Sequence, residues 1–352
     1  MPYGTVNADL MTTSDGVSSA GLYGFKNRII NGAMVIDQRN AGAAVTAGTG
    51  TYTLDRWQAY DSSDAVFTVQ QVSDAPTGFV NSAKITITTA DASIGASQYN
   101  YFQQRIEGLN VADLAWGTAS AATVTLSFWV RSSLTGTFGG AFYNSAYNRS
   151  YPFTYAISSA NTWEQKTVTV AGDTSGTWLT TNGIGVAVTF DLGTGTDNTG
   201  TAGAWVGAGN IGADSTVQLA STLNATWYIT GVQLEKGSTA TSFDYLDYGR
   251  SLAQCQRYYQ QVGGNTGDLN SIALRSYTTS GSYVGNQYQF PVQMRTAPTM
   301  TVSGTFAVTN CGQPAALGAD GSTWSFQTQA SATGAMVLYS NNSGKMTFAA
   351  EL

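Results

Sequence analysis

Short segments in which apolar and polar residues alternate recur along most of this sequence. Residues 123–131 show the pattern most clearly, because Val124, Leu126, Phe128 and Val130 occupy alternate positions while threonine and serine fill most of the others. Successive side chains of a strand point to opposite faces, so a period of two predicts a half-buried β-strand. The same pattern predicts strands at residues 82–89, 164–170, 184–190 and 227–234.

Clusters of glycine, asparagine, aspartate and serine separate these segments, which favours a β-sandwich or barrel over alternating strands and helices. Gly231 is expected to mark a β-bulge in its strand. Helices are few: Asn110 is expected to cap one short turn, and residues 249–259 carry the best helical stripe, where the first domain should end. The chain is therefore predicted to be all-β, with two β domains behind a short N-terminal arm.

A second β unit is predicted after the glycine-rich residues 262–267. Its strand at residues 283–294 contains Pro291, which cannot donate to a ladder and predicts an edge or a bulge. Residues 335–340 and 345–349 flank a turn of four residues, which predicts a β-hairpin at the end of the sequence.

Charge is unusually scarce, and this excludes several functions. Charged residues make up 10% of the chain, against roughly 25% in typical soluble domains. The net charge of −6 and the absence of a basic cluster oppose nucleic-acid binding. No histidine is present, so Ser-His-Asp catalysis and the usual zinc sites are not expected.

The two cysteines and the N-terminal sequence indicate the compartment in which the protein is made. Cys255 and Cys311 are expected to be separate buried thiols rather than a disulfide. The first residues lack a basic stretch followed by an apolar one, so no secretory signal is predicted. No window has the 18 or more apolar residues of a membrane helix, so membrane insertion is not expected.

Several segments, taken in order, resemble bacteriophage tail-fibre and related virion-appendage proteins. They include KNRIINGAMVIDQRNAG at residues 26–42 and WYITGVQLEKG at residues 227–237. The ordered set is more specific than any one motif. The remaining members of the set are residues 52–57, 126–132, 243–249, 255–259 and 290–300.

The resemblance implies an overall organisation: a virion-docking arm at residues 1–26, a jelly-roll β-sandwich like carbohydrate-binding modules at residues 27–260 with a short helix at its end, and a second small β-sandwich domain at residues 261–352. It also implies a homotrimer in the virion, made in the bacterial host cytoplasm, whose arm docks on other phage virion proteins. The expected function is a structural, non-enzymatic fibre that contacts host-surface glycans. A capsid decoration or neck protein and a glycan depolymerase are the alternatives.

Aromatic side chains near polar ones are the candidate glycan-binding residues, because sugar rings stack on aromatic faces. Residues 142–151 interleave tyrosines with asparagine and arginine, and Trp205 lies in a glycine-rich loop. The alternative is that these rings pack on the sheets or at subunit interfaces. The candidates are Tyr143, Tyr147, Tyr151 and Trp205, whereas Trp57, Trp116, Trp129 and Trp227 are expected in the core.

Carboxylates could serve in a metal site or in catalysis. Asp191, Asp197 and Asn198 offer hard oxygen ligands for a structural calcium ion in a glycine-rich loop, although such residues are also ordinary in turns. No other cofactor is expected. Pairs such as Asp61 with Asp64 are expected to shape turns, so catalysis is not predicted.

Overall fold

A computed structural model describes residues 26–264 and 271–352 of the chain. The predicted arm lies outside the described residues except for Lys26. By their contacts the described residues form two compact units, one comprising the residues up to Leu246 together with Leu352, and one spanning Asp247–Glu351. The helix predicted to close the first domain therefore belongs to the second unit.

The first unit is built almost entirely from short strands. In chain order they are β1 (Val45–Thr46), β2 (Thr51–Tyr52), β3 (Gln58–Asp61), β4 (Val66–Val72), β5 (Ser82–Thr89), β6 (Tyr99–Glu107), β7 (Val124–Ser132), β8 (Gly136–Tyr143), β9 (Ser150–Ile157), β10 (Glu164–Val170), β11 (Ile184–Thr194), β12 (Thr199–Gly200), β13 (Gly212–Ala213) and β14 (Thr226–Lys236). All five strands predicted from alternation are present.

Two six-stranded antiparallel sheets face each other in this unit. Sheet A has the order β1-β4-β5-β14-β7-β10 and sheet B the order β2-β3-β6-β11-β8-β9. The short parallel pair β12-β13 is separate from both. One apolar cluster takes side chains from both sheets, including Phe128 of sheet A and Phe190 of sheet B at 5.0 Å between ring centroids. The all-β jelly-roll prediction is confirmed.

The bulge expected at Gly231 is also confirmed. The pairing of β14 with β7 shifts register between Thr230 and Gln233, and Gly231 has a φ of +61°. A Cβ on Gly231 would lie 2.6 Å from the Phe79 ring, so both the backbone and the space require glycine.

Three of the four tryptophans expected in the core are buried there, namely Trp57, Trp116 and Trp227. Trp57 stacks on Phe102 at 5.0 Å with an interplanar angle of 10°. The prediction for Trp129 was wrong. It alternates with the buried Phe128 and Val130, so its half-buried ring lies on the outer face of sheet A.

Short 3₁₀ helices connect the strands at Gly108–Asn110, Ala112–Leu114, Thr196–Asn198 and Leu219–Ser221. The predicted cap at Asn110 was wrong. Asn110 is the last residue of the first of these helices, and the second begins after Val111 without a side-chain cap.

The second unit begins with a helix and continues with three small sheets. The elements are α1 (Tyr248–Gln256), β15 (Tyr259–Gly263), β16 (Ala273–Thr278), β17 (Tyr283–Gln289), β18 (Thr299–Ser303), β19 (Phe306–Thr309), β20 (Ala315–Ala319), β21 (Thr323–Gln329), β22 (Gly334–Ser340) and β23 (Lys345–Ala349). The sheets have the orders β15-β23-β18, β16-β22-β19 and β17-β21-β20.

The hairpin predicted near the end of the sequence was wrong. Both strands exist as β22 and β23, but β22 lies between β16 and β19, and β23 lies between β15 and β18. Each already has both of its edges paired, so the two cannot pair with each other. The strand containing Pro291 ends earlier, at Gln289, because proline cannot donate to the ladder.

Cys255 and Cys311 are both buried and are not joined in a disulfide, which confirms the prediction of separate thiols. No helix in residues 26–264 or 271–352 is long and apolar enough to cross a bilayer.

Candidate functional site

The outer face of sheet B carries a line of tyrosines along β6. Tyr99, Tyr101 and Arg105 occupy alternate positions of this strand and point away from the core, which receives Phe102 and Ile106. Tyr60 on β3 is the cross-strand partner of Tyr101, and their rings stack at 4.7 Å and 12°. The ring centroid of Tyr99 lies 5.5 Å from that of Tyr101.

Arg105 connects these rings to Tyr147, which follows β8. Its Nη2 atom donates to the hydroxyl oxygens of Tyr60 (2.9 Å) and Tyr147 (3.0 Å). Its other terminal nitrogen donates to the backbone carbonyl of Leu352 at 2.9 Å. We call Arg105 and the four tyrosines Tyr60, Tyr99, Tyr101 and Tyr147 together the tyrosine row.

Tyr147 presents the most exposed ring of the row, and it rests on a rigid support. Its side chain is 41% exposed, whereas Tyr143 beneath it is fully buried. The two rings stack at 4.7 Å and 26°. The backbone at Tyr147 is left-handed, with φ of +53°, and its N–H donates to the Asn144 carbonyl at 3.1 Å.

A chain of buried hydrogen bonds fixes Tyr143 in turn. Its hydroxyl donates to Gln103 Oε1, and Gln103 Nε2 donates to Gln58 Oε1 at 2.8 Å. Gln58 Nε2 then donates to the Gly50 carbonyl at 2.9 Å. Buried amides that are satisfied in this way resist movement, because any displacement leaves a donor or an acceptor unpaired. The support of the exposed ring is therefore ordered before any ligand binds.

The electrostatics keep the row neutral except for one cation. Burial raises the pKa of Tyr60 and raises that of Tyr101 and Tyr143 further, so these phenols remain protonated at physiological pH. Burial opposes the charge of Arg105, but the surrounding tyrosines raise its pKa above the ordinary value. Tyr101 is only 3% exposed and supports the Tyr60 ring from below, so the row offers the rings of Tyr147, Tyr60 and Tyr99, their hydroxyl groups and one permanent cation.

Such a surface has the chemistry that saccharide recognition needs. Ring faces pack against the C–H surfaces of a sugar, while hydroxyl groups order its hydroxyls. The stretch of β6 from Tyr99 to Arg105 extends over roughly 20 Å at the usual strand rise. The surface is therefore long enough to contact several sugar residues in a line.

The structure separates the four predicted glycan residues into two groups. Tyr143 and Tyr147 lie on the outer face of sheet B. Tyr151 pairs with the buried Phe142, so its half-buried side chain lies on the opposite side of the sheet from Tyr143, which pairs with Ser150. The Tyr151 ring meets Trp205 at 5.2 Å and 62°.

Trp205 anchors its glycine-rich loop by packing. It contacts Trp116 at 5.2 Å and Trp178 at 5.3 Å, edge to face in both cases. Its indole N–H donates to the Ala171 carbonyl at 2.7 Å. Both neighbouring indoles also donate to backbone carbonyls, those of Ala122 and Ser175. This arrangement gives Trp205 and Tyr151 a packing role against the core.

The three residues predicted to bind calcium have different surroundings. Asp191 is buried under Gly212, where a Cβ would lie 2.4 Å from its Oδ2 atom. Its carboxylate accepts from Gly193 N at 2.8 Å and from Thr216 Oγ1 at 3.1 Å, and burial raises its pKa to about 6. Asp197 is exposed, and the amide of Asn198 donates to the Ser97 carbonyl at 3.1 Å.

The calcium site stays a prediction. Within the described residues, no group of three or more histidine, cysteine, aspartate or glutamate side chains is placed to hold a metal ion.

Sequence reasoning missed Tyr60, Tyr99, Tyr101 and Arg105. A signal was present, because Tyr99, Tyr101, Gln103 and Arg105 alternate with period two. The alternation does not say which face of the strand is turned outward, and the contribution of Tyr60 depends on pairing between β3 and β6.

No protein-family model matches the chain, and no curated protein matches its sequence. Solved structures do match about three fifths of it. The enzymatically active domain of tailspike protein 4 of bacteriophage CBA120 is 14% identical, with a TM-score of 0.32. The match covers 60% of this chain and 21% of the tailspike chain, so this chain spans about a fifth of that protein's length.

Sugar-binding proteins match a similar share of the chain. A putative sugar-binding protein from Bacteroides thetaiotaomicron is 12% identical over 60% of this chain and 100% of its own, with a TM-score of 0.34. The family 11 carbohydrate-binding module of the cellulosomal cellulase Lic26A-Cel5E of Clostridium thermocellum is 13% identical, with a TM-score of 0.28. That match covers 58% of this chain and 99% of the module. These similarities are too remote to carry an argument about function.

Proposed function

We propose that this protein is a glycan-binding protein and that the tyrosine row is its binding surface. The observation that carries the proposal is the exposed Tyr147 ring, stacked on the buried Tyr143 and hydrogen-bonded to Arg105. An aromatic surface that is rigid before binding loses little conformational entropy when a sugar stacks on it.

The charges of the row favour a neutral or weakly acidic saccharide over other polymers. Nucleic acids require clustered lysine and arginine to neutralise phosphates. The row contains one cation, Arg105, in a chain of net charge −6. A single cation surrounded by phenols suits hydroxyl groups or one carboxylate of a sugar.

We further propose that the protein holds the glycan without cleaving it. Glycoside hydrolysis needs two carboxyl groups on either side of the scissile bond. The acid paired with Tyr101 across the sheet is Asp191, and it is covered by Gly212 and already accepts two hydrogen bonds. This geometry favours a structural role for Asp191.

The biological setting of the proposal is a phage virion. The resemblance of the segments between residues 26 and 300 to tail-fibre proteins supports a trimeric fibre or appendage that adheres to the host surface. In this proposal residues 1–26 dock on other virion proteins. A binding face that depends on stacking and neutral hydrogen bonds loses little strength with salt, which suits adhesion outside the cell.

A glycan array carrying bacterial surface polysaccharides tests the binding proposal. Wild-type protein should bind at least one glycan, and Tyr147→Ala should weaken that binding about tenfold, since a lost aromatic contact is worth about 1–1.5 kcal/mol. Tyr277→Ala is the matched control, because Tyr277 is an exposed tyrosine (78%) of the second unit. Equal binding by wild type and Tyr147→Ala would refute the proposal. If the protein releases new reducing ends from a bound polysaccharide, it acts as a depolymerase rather than as a binding protein.

The virion proposal has its own test. Deletion of residues 1–26 should leave a trimer by mass in solution that no longer incorporates into particles. Normal incorporation would refute the docking arm, and a monomeric mass for the full chain would refute the trimer. Labelled protein found on the capsid or neck instead of the tail would favour a decoration role.

A further inference from the structure

An open pocket of about 400 Å³ lies at one end of the sandwich of the first unit. It is formed by the loop between β5 and β6, the end of β11 and the 3₁₀ helix at Leu219–Ser221. Its size falls within the range of about 300–1,000 Å³ that is usual for small-ligand sites. The lining residues are Ala92, Ser93, Ile94, Ala96, Thr194, Gly195, Thr196, Gln218 and Ser221.

Strand register places this pocket, which we call the end pocket, beside the tyrosine row. Thr194, the last residue of β11, is the cross-strand partner of Tyr99, the first residue of β6. Cross-strand partners point to the same face of a sheet. A Cβ on the preceding residue, Gly193, would lie 2.8 Å from Ile94 Cδ1 and 3.3 Å from Gln218 Oε1, so these lining groups lie on the opposite face of the sheet from Tyr99. The pocket and the row therefore meet at the end of the sheet, where the lining residue Ala96 shortly precedes Tyr99.

Gln218 of the pocket carries a polar atom that has no partner among the described residues. Gln218 Nε2 donates to the Thr194 carbonyl at 3.3 Å, but Gln218 Oε1 is buried and accepts no hydrogen bond from the described residues. A buried acceptor without a donor is costly, and such groups in native structures usually meet a ligand or a water molecule. The nearby Thr194 side chain is only 4% exposed. A ligand that donates a hydrogen bond to this amide oxygen would therefore bind favourably in the pocket.

The chemistry of the lining restricts the ligand. Among these described lining residues none carries a charge, which disfavours phosphate groups and also hard cations that prefer carboxylates. The polar groups are the hydroxyls of Ser93, Thr194, Thr196 and Ser221 and the amide of Gln218. Ile94 adds an apolar contact. A neutral molecule rich in hydroxyl groups matches this set, because each hydroxyl can both donate and accept.

We propose that the end pocket binds the terminal sugar ring of a glycan whose next residues lie on the tyrosine row. This inference rests on the proposed function and makes it more specific, because the protein then recognises chain ends in addition to chain surfaces. None of the described lining residues is aromatic, so the pocket holds a sugar ring by hydrogen bonds and shape, whereas the row holds the chain by stacking.

Saturation-transfer NMR with free monosaccharides tests the pocket separately from the row. The probes are glucose, galactose, N-acetylglucosamine and rhamnose, each at millimolar concentration. Ser93→Trp places a large ring in the pocket from an exposed position, and Gln218→Met removes the amide at nearly constant size. Ser120→Trp is the matched control, since Ser120 is exposed in a turn that does not line the pocket.

The expected result is that at least one monosaccharide binds the wild type, the Ser120→Trp control and Tyr147→Ala. Binding should be lost in Ser93→Trp and weakened about tenfold or more in Gln218→Met. Absence of binding by all four monosaccharides, or equal binding by wild type and Ser93→Trp, would overturn the end pocket as a sugar site.

Polysaccharide binding by Tyr147→Ala tests the tyrosine row separately from the end pocket. If Tyr147→Ala leaves polysaccharide binding unchanged while Ser93→Trp abolishes monosaccharide binding, the proposed row is wrong and the pocket acts alone. If Tyr147→Ala weakens polysaccharide binding and Ser93→Trp changes neither measurement, the row stands and the end pocket is wrong.

Discussion

The exposed ring of Tyr147 stacks on the fully buried ring of Tyr143, with 4.7 Å between centroids and 26° between planes. The buried ring is fixed by its hydrogen bond to Gln103, so the exposed one has a support that does not move. This pair joins the interior of the sandwich to its proposed binding surface, and the predictions for the row follow from it.

Tyr143→Phe should lower the free energy of unfolding by about 1–3 kcal/mol, because it removes the donor to the buried Gln103 Oε1. Tyr147→Phe is the control, since the hydroxyl of Tyr147 belongs to an exposed side chain. This substitution should lower the free energy of unfolding by only about 0.5 kcal/mol. Urea unfolding of the wild type and of both variants measures these losses in the free energy of unfolding. Equal losses would show that the buried network does not hold the row.

Arg105→Met should weaken glycan binding about fivefold, because the hydrogen bonds that hold Tyr60 and Tyr147 in place are lost. Arg131→Met on sheet A is the matched control. The Arg131 guanidinium also donates hydrogen bonds, here to the Asp74 carboxylate, and lies 4.1 Å from the centroid of the Tyr228 ring. Titration calorimetry with the glycan that binds most tightly on the array would compare the affinities of the two variants. A similar affinity for both variants would contradict the positioning role of Arg105.

Trp205→Ala should destabilise the first unit without changing glycan affinity. The substitution removes the edge-to-face contacts with Trp116 and Trp178 and leaves a gap at the edge of the core, which should cost about 2–4 kcal/mol. Thermal unfolding and the array together provide the measurement. Loss of binding at full stability would instead make Trp205 a glycan contact.

Asp191 should make stability fall as the pH rises. Its folded pKa of about 6 lies above the ordinary 3.8, so between these values the folded state binds more protons than the unfolded state. The group therefore lowers the free energy of unfolding by about 3 kcal/mol between about pH 4 and pH 7.

Asp191→Asn should remove this part of the pH dependence, because the amide keeps the shape of the carboxylate without its charge. Asp197→Asn, at an exposed position, should leave the profile unchanged. Chemical unfolding at a series of pH values compares the three proteins. Parallel profiles for wild type and Asp191→Asn would contradict the buried position of the carboxylate.

Local pattern was sufficient to predict strands with one buried face, such as β7, and long-range pairing decided what it could not predict. Alternation at Val124–Ser132 predicted β7 because one face of that strand is buried. The same local reasoning predicted a hairpin of β22 and β23, but the partners of β22 include Ala273, which pairs with Tyr339 from 66 positions away. Turn length alone carries no information about such competing partners.

The site was predictable only in part for the same reason. Tyr147 was predicted because residues 142–151 interleave tyrosines with asparagine and arginine. Tyr60 joins the row only because β3 pairs with β6, and the packing of Trp205 depends on Trp116 and Trp178, which come from distant loops. Whether a ring is exposed depends on these tertiary contacts rather than on its immediate sequence.

A crystal structure of the protein with an oligosaccharide from the array tests the central claim most directly. The account predicts a sugar ring stacked on Tyr147, with further sugar residues along the half-buried Tyr60 and Tyr99. An oligosaccharide bound instead on sheet A, for example at Tyr228 and Trp163, with the tyrosine row empty, would contradict it.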